Sequence, residues 1–169
     1  DPANNITLDF GLITRDFGDL PDTYGTTDGS PNDGPVNVVN PNLKLGACQD
    51  GEMDGNPDSM AGLMTGGDDN TGGAAVDGTA STCGDDEDGI VFESPMVPGT
   101  QACILATAMN MLQANAVLQM WIDFNGDGDV ADAGEAVTTG SFNGAGGGAV
   151  VPVGGLSNAQ LCFDVPAAA

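Results

Sequence analysis

Between Trp121 and Glu135 the chain reads WIDFNGDGDVADAGE, with Asp123, Asn125, Asp127 and Asp129 at every second position. Asp123-x-Asn125-x-Asp127-Gly128 strings three oxygen-bearing side chains along a tight turn, and Gly128 permits the bend. Asp129 and Glu135 are spaced to close a shell around a cation. Ca2+ takes roughly 6–8 oxygen ligands at about 2.3–2.6 Å, and alternating carboxylates are how the EF-hand loop supplies them. The correspondence is partial. The EF-hand's bidentate Glu stands at about position 12 of its loop, which here is Gly134, with Glu135 one residue later. The flanks read as strand and turn, so no helix pair is expected. The competing reading is a solvated acidic turn without an ion. The chain has no His, which disfavours transition metals. Mg2+ demands a tighter octahedron, which leaves Ca2+ as the expected ion.

The pattern nearly recurs. DGEMDGNPD carries Asp50, Glu52 and Asp54, with Asp58 close behind, and GDDEDG carries Asp85, Asp86, Glu87 and Asp88. Asp68, Asp69 and Asn70 lie between these two runs. Adjacent carboxylates repel unless neutralised or fully solvated. The alternative to cation binding here is a flexible, solvated acidic run.

The wider composition sets limits on function. Against 25 acidic residues stand two basic ones, Arg15 and Lys44, for a formal charge of −23. Such a surface repels nucleic acid and anionic membranes, and no stretch is long and apolar enough to span a bilayer. No catalytic triad can be built without His. Among so many acids a glycosidase-like carboxylate pair arises by chance and signals nothing. No enzymatic activity is expected. Hydrophobic residues make up 40% of the chain, and 27 glycines and ten prolines accompany them, which suits a folded domain with many turns. Cys48, Cys83, Cys103 and Cys162 suggest two disulfides in an oxidising compartment. Zinc is the weaker alternative, because no CxxC pair exists. The expected pairing is Cys48–Cys83, which brackets the acidic loop, and Cys103–Cys162, which joins two strands.

Residues 5–13 (NITLDFGLI) alternate with Ile6, Leu8, Phe10 and Leu12 on one face, the mark of a half-buried strand. Residues 26–89 read mostly as loop, with short strands at 36–39 and 43–45. Further strands are expected at 90–92, 102–108, 117–124, 137–142, 149–153 and 160–165. Helix propensity conflicts with this assignment over ILATAMNMLQANAVLQMW. Alternation of Leu118, Met120, Ile122 and Phe124 into the acidic loop favours two strands joined near 112–115. Trp121, lying in a strand, is expected in or beside the core. The fold expected is all-β, a β-sandwich of Ig-like or jelly-roll type with long acidic calcium-binding loops.

DFGDLPDTYGT, LKLGACQDGEMDG, GDDN followed by DDEDGIVF, and WIDFNGDGDVADAGEAV together resemble, in order, the GEVED domain of bacterial secreted and surface proteins. The resemblance spans residues 15–166. It implies an extracellular β-sandwich module of adhesive or matrix proteins, without enzymatic activity. It also extends the cation-site role to Asp16, Asp19 and Asp22, and to the acidic clusters already described. Residues 1–14 resemble the last strand of a preceding β-sandwich repeat, and the chain, which starts at Asp1 without Met, stops before the family's usual final strand. The expected division is therefore a donor strand over 1–14 and a GEVED-like domain over 15–169 that lacks its last strand.

A sandwich lacking a strand exposes a groove and an unpaired edge. The strand bearing Ile6, Leu8, Phe10 and Leu12 can fill such a groove in a neighbouring copy by β-augmentation, and a head-to-tail contact that does not close grows a filament. The alternative is that the strand folds back on its own chain or that the chain is a fragment. Two functions from different classes follow. The first is a calcium-stabilised structural subunit of an extracellular filament or matrix, whose partners are copies of itself. The second is a calcium-dependent adhesin or carbohydrate-binding module, whose partners are glycans.

Overall fold

The computed structural model describes residues 15–17, 22–25, 36–47 and 89–167. Within them the protein is all-β, with antiparallel sheets and two single-turn 3₁₀ segments. β1 (Arg15–Phe17) pairs with β2 (Val36–Val38). Arg15–Phe17 lies where the sequence suggested only an acidic connection. β3 (Leu43–Leu45) and β4 (Ile90–Phe92) both pair with the central strand β5 (Gln101–Asn110). They share one edge of it and meet at Thr107, whose amide donates to the Gly89 carbonyl and whose carbonyl accepts from Gly46, each at 2.8 Å. β8 (Leu156–Asp164) takes the other edge. β6 (Ala116–Leu118) and β7 (Ala149–Val151) form a separate pair.

The strand reading over 102–108 holds against helix propensity. Along β5, Ala102, Ile104, Ala106, Ala108 and Asn110 are buried at every second position. With both edges paired, the backbone of β5 is satisfied by its neighbours, and this tertiary gain outweighs the few tenths of a kcal/mol per residue by which propensities typically differ. The joint between β5 and β6 falls over 111–115, near the expected place. Asn110, fully buried, organises it: its Nδ2 donates to the carbonyls of Ala114 and Val151, and its Oδ1 accepts from the Leu112 amide, all at 3.0 Å.

The core gathers Ala102, Ile104, Phe163 and Val165 from the β5–β8 side with Val137, Phe142 and Ala149 from the second half of the chain. Leu118, Met120, Ile122 and Phe124 pack against it. Phe142 and Phe163 meet edge to face at 6.2 Å, and each buried ring contributes about 1.5–3 kcal/mol. The alternation of residues 118–124 is therefore a core signal, although β6 itself ends at Leu118. Beyond it the chain stays extended against 135–137: Val137 donates to Met120, Ile122 donates to Glu135, and Trp121 bridges Ala136. This extended stretch carries the chain into the acidic loop.

Three expectations change. Residues 137–142 do not form a strand. Gly140 adopts φ +56° so close to β8 that a Cβ there would stand 2.1 Å from the Cys162 carbonyl oxygen, and residues 140–142 turn as a 3₁₀ segment. The turn closes the outer edge of β8 with side chains: Ser141 Oγ accepts from the Cys162 amide at 3.0 Å and Thr139 Oγ1 from the Asp164 amide at 2.8 Å. Second, β7 stops at Val151 and β8 starts earlier than expected, at Leu156. Third, Trp121 is not in the core. It is 49% exposed, as are Val117 at 47% and Val150 at 50%, a directly paired couple on the β6–β7 ladder.

Cys103 and Cys162 are bonded across directly opposed positions of β5 and β8, as expected. The disulfide is compatible with an oxidising, extracellular setting. The expected Cys48–Cys83 pair and the strand at 5–13, with Ile6, Leu8, Phe10 and Leu12, lie outside the described residues. Among the described residues no helix is long and apolar enough to cross a membrane.

Candidate metal site

The every-second-residue spacing of the acids is first a backbone device. Asp123 Oδ1 accepts from the Gly126 amide at 2.5 Å, Asn125 Oδ1 from Asp127 at 2.9 Å, Asp127 Oδ1 from Asp129 at 3.3 Å, and Asp129 Oδ1 from Ala131 at 2.9 Å. Each short side chain mimics a carbonyl and bonds an amide two or three residues on. Successive turns of this kind coil the loop, and Gly126 and Gly128 take the left-handed conformations, φ +72° and +95°, that the coil requires. The Asn125 Nδ2 donates to Asp127 Oδ2 at 3.1 Å and to Asp132 Oδ2 at 2.8 Å, closing the loop across its width.

The coil gathers carboxylates. Asp123, Asp127 and Glu135 each bring one oxygen to a common point, all three within 4.8 Å of one another. This cluster could hold a metal ion. Asp127 is exposed, Asp123 half-buried and Glu135 buried, with 3% of its surface accessible. Glu135 Oε2 accepts from the Asp132 amide at 2.9 Å. Its Oε1 is buried without any hydrogen-bond partner. A buried acceptor left unpaired costs about 1–3 kcal/mol. Proteins tolerate such an oxygen where a cation meets it.

Asp123 is the most heavily bonded of the three. Its Oδ2 accepts from the Gly128 amide at 3.0 Å and from the Tyr24 hydroxyl at 2.9 Å. Desolvation pushes its carboxyl upward, but hydrogen bonds from Gly128, Tyr24, Gly126 and Asp127 outweigh it and leave Asp123 below the ordinary Asp value. Tyr24 is raised above the ordinary Tyr value, first by the hydrogen bond it donates to Asp123, then by desolvation and by the charges of Asp123, Asp127 and Glu135.

Of the residues singled out by spacing, the structure thus brings together Asp123, Asp127 and Glu135. Glu135 joins despite lying one residue past the EF-hand position. Asn125 and Asp129 serve the loop's own hydrogen bonds. Asp19, Asp50, Glu52, Asp54, Asp85, Asp86 and Asp88 lie outside the described residues, as do the side chains of Asp16 and Asp22. Sequence reading missed Asp132 and Tyr24. Asp132 carried a weak signal as one more acid in the loop. Tyr24 carried none toward Asp123, because its partner is 99 residues away.

Comparison with known proteins returned no match to this chain, whether among family models, curated proteins or solved structures.

Proposed function

We propose that the protein is a calcium-stabilised structural module of an extracellular filament or surface matrix. The observation that carries the reading is Glu135, whose carboxylate clusters with those of Asp123 and Asp127 and whose Oε1 is buried without a hydrogen-bond partner. Two ligands on opposite sides of one Ca2+ stand up to about 5 Å apart, which suits the spread of these three oxygens. All of them are hard oxygen donors, and open positions in the shell are left to water. Two basic residues cannot neutralise 25 acids, and the Lys44 Nζ is bonded to the Ala47 carbonyl at 2.5 Å. The sandwich type, the extracellular setting and the kinship with GEVED domains are part of the same proposal, supported by the ordered motifs, the disulfide and the absence of catalytic chemistry in the sequence.

Assembly through residues 5–13 of a neighbouring copy belongs to this reading. Its support is the alternation of Ile6, Leu8, Phe10 and Leu12. A donated strand seated beside β8 would displace the Thr139 and Ser141 hydroxyls. The test of the leading reading is calorimetric titration of the chelator-treated full chain with Ca2+ and with Mg2+. Saturable Ca2+ binding that Mg2+ does not match supports it; heat of dilution alone for both ions refutes it.

The exposed Trp121 favours a second reading, a carbohydrate-binding or adhesive module, since a half-open indole can stack on a sugar face. Chemical-shift changes at Trp121 on adding a glycan panel would support it.

A further inference from the structure

Resting on the cation reading above, we infer that Tyr24 is a positioning residue of the site and that cation loading is coupled through it to docking of the turn at residues 22–25. The turn reaches the loop at two points. The Tyr24 hydroxyl donates to Asp123 Oδ2 at 2.9 Å. Thr23 lies over the bend, where a Cβ on Gly128 would stand 3.7 Å from Thr23 Oγ1. A short piece of chain far away in sequence thus touches both the first carboxylate of the cluster and the glycine that turns the loop.

Acceptor capacity shows what Tyr24 does there. An ionised carboxylate offers about four lone-pair sites. On Asp123 the Gly126 amide takes one at Oδ1, and the Gly128 amide and Tyr24 hydroxyl take both at Oδ2. Tyr24 and the Gly128 amide together occupy Oδ2, so Tyr24 holds the carboxylate plane in place. Outer-shell partners of metal ligands typically change metal affinity by about 10–100-fold when removed. Linkage makes the effect reciprocal: if the Tyr24 bond tightens cation binding by a given factor, the cation tightens docking of the turn by that same factor. The ion then fastens residues 22–25 to the loop after β6.

The test uses the full chain and its Tyr24→Phe variant, which keeps the ring and removes the hydroxyl. Calorimetry reads Ca2+ affinity. Hydrogen exchange reads protection at residues 22–25, with β5 (Gln101–Asn110) as the folding control. In the wild type, Ca2+ is expected to slow exchange at 22–25. In the variant, affinity is expected to fall about tenfold, and the effect of Ca2+ on 22–25 to shrink with it, while β5 stays protected. Wild-type affinity in Tyr24→Phe overturns the inference, as does exchange at 22–25 that ignores Ca2+ in a wild type that binds it. A wild type that binds no Ca2+ fails at the first step and overturns the cation reading itself, a result distinct from the other two.

Discussion

Replacing Glu135 by Gln should stabilise the protein in chelator and forfeit most of the stabilisation that calcium brings. Glu135 Oε2 accepts from the Asp132 amide, Oε1 is buried and unpaired, and the carboxylate clusters with those of Asp123 and Asp127. Gln keeps the shape and retains one oxygen for the Asp132 amide. It also sets an NH2 where Oε1 was, and Asp123 and Asp127 can accept from it. The substitution removes an unsatisfied buried acceptor, so Glu135→Gln should be more stable than wild type by about 1–3 kcal/mol in chelator. At roughly 2–4 °C per kcal/mol for a chain of this size, the melting temperature should rise by several degrees. With Ca2+ at ~100 times the wild-type dissociation constant, the wild type gains ~2.7 kcal/mol. A variant whose affinity is ~100-fold weaker gains only ~0.4 kcal/mol at the same concentration. The order of the two melting curves should therefore narrow or cross on adding calcium, as read by scanning calorimetry of both proteins in chelator and in Ca2+. If Glu135→Gln melts below wild type in chelator, the orphan oxygen is not a cost of the empty site and the reasoning fails.

Replacing Cys103 and Cys162 together by Ser should cost on the order of 4 kcal/mol in the chain-entropy account, given the separation of 59 residues between them; urea unfolding of the oxidised and doubly substituted proteins measures it. Gly140→Ala should destabilise by about 1–3 kcal/mol or more, since its Cβ would collide with the Cys162 carbonyl at a left-handed φ; the same unfolding curves give the value, and wild-type stability would mean that the turn over β8 shifts freely. Phe10→Asp should abolish self-assembly seen by electron microscopy while leaving Ca2+ binding largely intact; filaments formed as readily by the variant would refute strand donation.

The sequence was most informative where its signal is local. The coil from Asp123 to Asp129 is legible because each side chain bonds an amide a few residues on, so spacing alone encodes it. Alternation at residues 118–124 likewise marked the core-packing side chains, and it tipped the reading of the preceding segment from helix to strand. The pairing of Cys103 with Cys162 followed once both were placed in strands. Residues 137–142 misled because Val137 and Phe142 are both core residues, yet the chain between them turns at Gly140. The close approach of Gly140 to β8 is a tertiary fact that no window of sequence contains. Trp121 misled for a related reason: its neighbours Met120 and Ile122 pack toward the core, and alternation puts Trp121 on the opposite, open face. Tyr24 was invisible as a partner of the loop, since nothing near it in sequence encodes a hydrogen bond to a residue so far along the chain.

The central claim is that one cation sits among Asp123, Asp127 and Glu135. A crystal structure of the full chain grown in millimolar calcium, with the ion identified by its anomalous signal, tests it most directly. A Ca2+ peak is expected about 2.3–2.6 Å from a Glu135 carboxylate oxygen and from one oxygen each of Asp123 and Asp127, with the remaining positions filled by water. A well-ordered loop in which Glu135 Oε1 instead meets a water or a protein donor, with no anomalous peak at the cluster, would contradict it.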